Sequence, residues 1–279
     1  MLTPSLAIER LFATAGQLPS IPRVVQQLIA TLKDEDADLH PLIADIKQDP
    51  AISAKVLRLA NSGFYAGRRT VGSIDEAITL IGTRAMRTLV ISAGLTGVFT
   101  KVQGVDLKDF WRHALTTASA AAMLAKEARM DAESAYSAGL MHRVGQLMIH
   151  IAFPRVAEEI ARDCRDLSVA ERAAVEQVKL HTNHCEVGAE LAVRWNFPDD
   201  IVQALKHYSQ PQHPDAGKLA RIVHLAAQLA FDIEDQVQPE NIAEHLNKAL
   251  TDDCGLDRLA LVPAIRDCAA NAPLLDMAA

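Results

Sequence analysis

Aromatic residues are scarce in this sequence: Phe, Trp and Tyr make up 4% of its 279 residues, whereas hydrophobic residues as a whole make up 49%. The apolar content is carried largely by alanine and leucine, which favours packed helices over sheets, because strands are enriched in aromatic and β-branched residues. No apolar run reaches the ~18 residues that a membrane-spanning helix needs. The sequence therefore predicts an all-α fold and no membrane span.

Cysteine is also sparse, and its four positions show no C-x-x-C spacing, which argues against a zinc knuckle or a disulfide framework. There is no glycine-rich phosphate loop and no Ser-x-Gly nucleophile elbow, so neither a P-loop enzyme nor an α/β-hydrolase is indicated. The net charge of −7 is modest and argues against a general nucleic-acid or membrane-surface binder. The N-terminus does not read as a secretory signal, and we expect a cytoplasmic protein.

Caps and prolines divide the first hundred residues into short helices. Pro22 suits the first turn of one helix, and Asp49-Pro50 supplies an N-cap and a first-turn proline for another. Ser73-Ile74-Asp75-Glu76 is a capping box. Gly82-Thr83 then restarts a further helix, and no segment predicts a strand.

The stretch at residues 110–151 carries the most specific motifs. It begins with Phe110-Trp111-Arg112-His113 and reaches Gly139-Leu140-Met141-His142-Arg143-Val144-Gly145. Leu18-Pro19, Gln48-Asp49-Pro50 and Leu59-Ala60-Asn61-Ser62 precede it in order. Together these motifs resemble the HDOD domain, an HD-related output domain of bacterial signalling proteins, over roughly residues 17–230.

The resemblance implies an all-α protein of two helical lobes. We expect an N-terminal helical lobe over residues 1–105 and an HD-like helical lobe with a C-terminal helical extension over residues 106–279. It also implies kinship with HD-type phosphohydrolases, whose histidines and two aspartates hold metal ions. The positions of this vestigial HD site, carried over by resemblance, are His113, His142, Arg143, His184, His207 and Ala227.

Both carboxylates of the enzymes' metal core are missing, because Arg143 and Ala227 stand in their places. Gln146 also stands where the enzymes usually carry a lysine. A unit charge ~4 Å from another feels about 4 kcal/mol at an effective dielectric constant near 20, and a dication feels about double that repulsion. Four histidines alone could hold Zn²⁺, which leaves a residual site open, but we favour their retention as hydrogen-bonded core residues. We expect no catalytic residue, no metal and no cofactor.

The function that this pattern favours is signal transduction without catalysis, through binding of a partner protein. A small ligand stays open as a second kind of partner, and we expect neither membrane nor nucleic-acid binding. The candidate interaction loop contains Phe64, Tyr65, Arg68 and Arg69, because aromatic and arginine side chains anchor interfaces. In the opposing interpretation, the two aromatic rings return to the core.

Two alternative functions remain at this point. One is a metal-dependent phosphohydrolase acting on a nucleotide or cyclic dinucleotide. The other is a nucleic-acid-binding regulator that uses the first lobe, where residues 47–101 hold eight basic residues against three acidic ones.

Two further patterns predict helix geometry. His142, Gln146 and His150 have the spacing of one half-polar helical face. Beyond residue 230 we expect an amphipathic helix through Ile242, Leu246 and Leu250, then a helix over Leu256–Ile265, and a frayed terminus from residue 273.

Overall fold

The computed structural model describes residues 4–16, 20–32, 40–61, 70–165 and 167–275. Within these ranges the chain forms sixteen α-helices and no strand, so the predicted all-α class is confirmed. The helices are α1 (Pro4–Ala15), α2 (Arg23–Ala30), α3 (His40–Gln48), α4 (Pro50–Ala60), α5 (Ile74–Val98), α6 (Leu107–Glu127), α7 (Ala132–Met141), α8 (Val144–Ala152), α9 (Pro154–Asp163), α10 (Val169–Leu180), α11 (His184–Arg194), α12 (Asp199–His207), α13 (Lys218–Glu234), α14 (Pro239–His245), α15 (Lys248–Cys254) and α16 (Val262–Leu275).

The predicted caps form at the starts of α4 and α5. Asp49 Oδ1 accepts hydrogen bonds from the amides of Ala51 and Ile52, both at 3.0 Å. Ser73 Oγ accepts from the amide of Glu76 at 3.2 Å. The Glu76 carboxylate does not close the box on Ser73 as the pattern predicts, but accepts from the amide of Gly72 at 2.7 Å, one residue earlier.

Helix α5 is bent at the predicted restart. Gly82 has φ +83°, a conformation that glycine adopts without steric cost. The helix axis bends by 117° between Ile74–Thr83 and Ala85–Val98. Among the residues that the structure describes, no single helix is long and apolar enough to cross a membrane. Taken together, the two parts of α5 have the length and composition of a membrane-spanning helix, but neither part has them alone.

The first helices pack tightly onto the rest of the chain. Arg87 of α5 donates from Nε to Glu133 Oε2 of α7 at 2.7 Å, and from Nη1 to the carbonyl oxygen of Thr31 after α2. Helix α1 lies against α8 and α11, where the Arg194 guanidinium is 4.3 Å from the centroid of the Phe12 ring. The predicted division of the chain after residue 105 stays a prediction.

Two glycines allow close helix crossings around the HD-like motifs. A Cβ atom on Gly139 of α7 would lie 2.8 Å from the Cα atom of Ala118 on α6. On Gly145 of α8 it would meet the carbonyl oxygen of His184, and the amide nitrogen of Gly188 on α11 at 2.8 Å. Nothing larger than glycine fits at either position. Helix α7 therefore packs closely on α6, and α8 packs closely on α11.

The predicted boundaries of the C-terminal helices were wrong. Asn247 Oδ1 accepts from the amide of Ala249 at 3.0 Å and starts α15, so Ile242 and Leu250 lie on separate helices. The last helix begins at Val262 rather than Leu256 and continues to Leu275. The asparagine N-cap outweighed the apolar periodicity on which the prediction rested.

Candidate functional site: a degenerate HD centre

The doublet His142-Arg143 lies at the junction of α7 and α8. His142 follows the last residue of α7, and Arg143 precedes the first residue of α8. The His142 Nδ1–H donates to the carbonyl oxygen of Gly139 at 2.6 Å, which fixes the ring and leaves Nε2 as an acceptor. Burial, and then the neighbouring His113 and Arg143, lower the pKa of His142 well below its ordinary value, so the ring is neutral. The predicted common face with Gln146 and His150 was wrong, because His142 lies outside α8.

His113 faces His142 from α6, with 5.5 Å between the ring centroids. Its Nδ1 lies 3.0 Å from Glu234 Oε2 of α13. Burial is the main reason that the pKa of His113 is lowered well below its usual range, and Arg143 and Arg112 add to it. The neutral ring therefore donates from Nδ1 to the carboxylate. Its buried Nε2 then has no hydrogen-bond partner among the described residues.

His184 is held in a buried ion pair instead of facing the other two histidines. Its Nδ1 donates to Glu176 Oε2 at 2.5 Å, its backbone amide donates to the same oxygen at 2.7 Å, and its Nε2 lies 2.9 Å from the Tyr208 hydroxyl. Burial alone lowers the pKa of His184, but Cys185 and Glu176 outweigh it and raise this pKa to about 10. The pKa of Glu176 falls to about 2, because the attraction of His184 and Arg172 outweighs the effect of burial. Both nitrogens of His184 are thus occupied.

Arg143 has no carboxylate partner. Its Nε and Nη2 donate to Gln146 Oε1 at 3.3 and 3.2 Å, and its guanidinium carbon lies 5.6 Å from the centroid of the Phe110 ring. Among the described residues, no carboxylate oxygen lies within 4.0 Å of it. Burial, and then the nearby Arg172, lower the pKa of Arg143. An arginine nonetheless remains charged at neutral pH.

The last two predicted positions lie in different surroundings. Ala227 of α13 lines the same cavity as His142 and Arg143. His207 does not line that cavity: its ring stacks on His213 with 4.8 Å between centroids. The side chain that enters the centre is the next one, Tyr208, whose ring centroid is 5.5 Å from that of His142.

Sequence reasoning missed four residues of the centre: Arg172, Glu176, Tyr208 and Glu234. The first two have the i,i+4 spacing of a helical ion pair, and Arg172 Nε lies 3.0 Å from Glu176 Oε1. Tyr208 continues the buried stripe of Ile201 and Leu205, which could have indicated that it points inward. No local pattern marks Glu234, because its contact with His113 spans 121 positions of the chain.

An HD-type metal ion does not fit the residues of this centre. At the doublet, His113 and His142 each offer one unoccupied ring nitrogen, while Arg143 and Ala227 stand in place of the oxygen ligands that hard cations require. Elsewhere in the described part of the chain, one group has the composition of a metal site: ligand atoms of His207, His213 and Asp215 lie within 4.8 Å of one another. None of these three residues lines the cavity that holds the doublet.

The predicted interaction loop, with Phe64, Tyr65, Arg68 and Arg69, falls outside the described residues. The residues on either side of it are joined. Asn61 Nδ2 donates to the carbonyl oxygen of Val71 at 2.9 Å, and the Val71 amide donates to Asn61 Oδ1 at 2.7 Å.

The family comparison agrees with this geometry. The model of the HDOD domain family matches residues 18–211 of the chain. The chain belongs to the HDOD family. A protein of known structure from Shewanella amazonensis SB2B, provisionally named a phosphohydrolase, is 29% identical in sequence to this HDOD protein. The two structures superpose with a TM-score of 0.81, and the match covers 96% of this chain and 97% of the Shewanella chain. A Geobacter sulfurreducens HDOD domain protein of unknown function has the same fold, with 20% identity, a TM-score of 0.81 and the same two coverages.

A longer relative also matches the HDOD protein. It is an uncharacterized protein of Treponema pallidum (strain Nichols), 26% identical over 204 residues. The match takes in 72% of this chain but 39% of the relative.

Proposed function

We propose that this HDOD protein is a non-catalytic signal-transduction protein that binds a partner protein through its degenerate HD fold. The observation that carries the proposal is the pair Arg143 and Ala227 in the cavity wall. One adds a permanent cation next to two neutral histidines, and the other offers no ligand. A catalytic metal in this position would have to polarise a phosphoryl oxygen and deprotonate a water molecule. The hard cations that suit this chemistry are held by oxygen ligands, which these two positions do not supply.

Two experiments test for catalysis. The first measures metal content by elemental analysis in the untagged full chain and in His213→Ala, which removes the surface group of His207, His213 and Asp215. We expect well under one metal ion per chain in His213→Ala, and no rise in melting temperature with Mn²⁺ or Mg²⁺. The second measures hydrolysis of bis(p-nitrophenyl) phosphate and of a cyclic dinucleotide, and we expect none above buffer.

The Shewanella relative's provisional name favours the phosphohydrolase alternative, and the same experiments separate the two. Stoichiometric metal that persists in His213→Ala and is lost in His113→Ala or His142→Ala would overturn the non-catalytic proposal. A double change, Arg143→Asp with Ala227→Asp, restores the two carboxylates. We expect it to bind Mn²⁺ weakly, with Arg143→Asp alone as the control.

We place the partner surface on the loop with Phe64, Tyr65, Arg68 and Arg69. Capture of proteins by the full chain from a lysate of its own cells, read by mass spectrometry, tests both the partner and the surface. We expect the double variant Tyr65→Ala with Arg69→Ala to lose the partner. The control Arg155→Ala, which changes an exposed residue in the other part of the chain, should retain it. Unchanged capture by a folded double variant excludes the loop as the anchor. If the wild type captures no specific partner, the proposed function is wrong.

The first-lobe helices support a partner other than nucleic acid. Helices α3 and α4 are joined by Asp49 alone, whereas the turn of a helix-turn-helix has three or four residues. Lys47 is paired with Asp75 at 2.6 Å, and Arg87 is buried against Glu133. Because Glu133 lies outside residues 47–101, its pairing with the buried Arg87 makes the positive excess at the surface of this segment smaller than the sequence suggests. Salt-resistant binding with a sharp preference for one duplex sequence would contradict this view.

A further inference from the structure

Two cavities meet at the degenerate HD centre. The larger has a volume of about 710 Å³ and the smaller about 320 Å³, both within the range of small-molecule sites. Their walls share four residues, Arg143, Gln146, Arg172 and Phe231. We call this shared wall and the space on its two sides the arginine cleft.

The guanidinium groups of Arg143 and Arg172 belong to the wall that the two cavities share, and Arg172 acts electrostatically on Arg143. Arg172 uses its Nε on Glu176, but its two terminal nitrogens donate to no described residue. Arg143 donates only to a neutral amide oxygen. Glu176 is shared with His184, which is itself protonated. Two partly buried like charges destabilise each other, and an anion between them would relieve that repulsion.

Three of the carboxylates that line the two cavities have partners. Asp109 lies 3.0 Å from Arg112, Glu234 lies 3.0 Å from His113, and Asp232 lies 3.3 Å from His245. Arg143 precedes the first residue of α8, which has no side-chain cap, so the positive end of that helix dipole lies beside its guanidinium. Charge and hydrogen-bond donors therefore converge on one anionic group.

The wall also has an aromatic face and an unsatisfied acceptor. Phe231 is 46% exposed, a large fraction for an aromatic ring, and it lies over His113 with 4.3 Å between ring centroids. His113 lines the smaller cavity, and its buried Nε2 has no hydrogen-bond partner in the part of the chain that the structure describes. A ligand for this cleft needs an anion for the arginines, a flat apolar surface for Phe231 and an N–H or O–H donor for His113.

We propose that the arginine cleft binds a nucleotide, with a phosphate between Arg143 and Arg172 and the base against Phe231. A guanidinium group can donate two parallel hydrogen bonds to a phosphate and also carries the opposite charge. Every nucleobase has a flat face that stacks on an aromatic ring. The guanidinium of Arg143 thereby takes the phosphate-binding role that a metal ion has in an HD enzyme. This inference deepens the proposed function and rests on it for the premise that the centre holds no metal.

Calorimetric titration of the full chain tests the proposal, with the four ribonucleoside 5′-monophosphates, inorganic phosphate and guanosine as probes. We expect at least one monophosphate to bind more tightly than inorganic phosphate or guanosine. Arg143→Gln should weaken that nucleotide at least about tenfold, because a hydrogen bond to a charged group is lost. Arg155→Gln, which removes an exposed arginine outside the cleft, should change nothing.

Phe231→Leu supplies an independent measurement, even if Arg143→Gln does not fold. It should weaken the nucleotide about fivefold or more and leave inorganic phosphate unchanged. Binding that is insensitive to both variants, or binding of no probe, would overturn the inference. If the wild-type chain captures its partner but binds none of the nucleotides, this inference is wrong while the proposed function stands. Tight binding followed by hydrolysis would support the cleft and overturn the non-catalytic function.

Discussion

Replacing Glu176 by Gln should cost the HDOD protein a large part of its stability. The carboxylate accepts from both the ring and the backbone of His184, and Arg172 lies on its other oxygen. Burial lowers the pKa of His184, but Cys185 and then Glu176 outweigh it and raise this pKa to about 10, so Glu176 supplies part of the stabilisation of the charged ring. Breaking one partner of a buried ion pair costs about 3–5 kcal/mol in other proteins. We therefore expect Glu176→Gln to lower the free energy of unfolding by about 3–5 kcal/mol.

The pH dependence of this loss has a defined sign. Because the folded-state pKa of His184 is raised, its contribution is complete below pH 6.5 and disappears as the pH rises towards 10. The pKa of Glu176 is lowered, so its contribution is present above pH 4.5 and fades as the pH falls towards 2. The difference between wild type and Glu176→Gln should hence be largest near pH 5–6.5 and shrink by about 1.4 kcal/mol per pH unit above that.

Urea unfolding followed by circular dichroism from pH 5 to 9 measures both effects. Glu190→Gln is the matched control, because Glu190 pairs with Arg194 at 2.8 Å on the surface of α11, where such a pair contributes below about 1 kcal/mol. If Glu176→Gln loses no more than this control, or if its loss does not vary with pH, the buried ion pair does not have the charge state described.

Three further changes test the packing. Gly145→Ala should destabilise the protein by about 1–3 kcal/mol, because its methyl group would overlap the facing backbone of α11, whereas Gly217→Ala has open space; equal melting temperatures would contradict the close crossing. Tyr208→Phe should cost about 1 kcal/mol in urea unfolding through the hydroxyl's lost hydrogen bond, and a stabilised variant would show that this bond is absent. Asn61→Ala should cost about 1–2 kcal/mol, since both bonds to Val71 disappear; a cost comparable to that of Gly217→Ala would count against this closure.

The helix starts were the most predictable part of the fold. Asp49 and Ser73 are local signals, because the side chain caps amides within three residues of itself. Gly82 was predictable for the same reason, since a glycine is needed where the chain turns with positive φ. The C-terminal boundaries were wrong because Asn247 offered a cap in the middle of an apolar period.

The centre was predictable in part of its residues and less so in its contacts. His142, Arg143 and Ala227 come from motifs and line one cavity, and His113 faces His142 from α6. Which neighbours fix them depends on helices distant in sequence, so neither the bond from His113 to Glu234 nor the ion pair of His184 could be read locally. His207 came from the resemblance to the family, whereas the helical period places the adjacent Tyr208 on the inward face.

The contacts of Arg87 have a mechanical consequence. Its guanidinium donates hydrogen bonds both to Thr31 at the end of α2 and to Glu133 in the first turn of α7. Separating these helices would leave a buried charge without its partner, at a cost of several kcal/mol. Thermal motion thus seldom separates α5 from α7. Helix α7 is about 15 Å long and ends next to His142, so the ion pair of Arg87 with Glu133 ties α5 to the helix that positions the doublet.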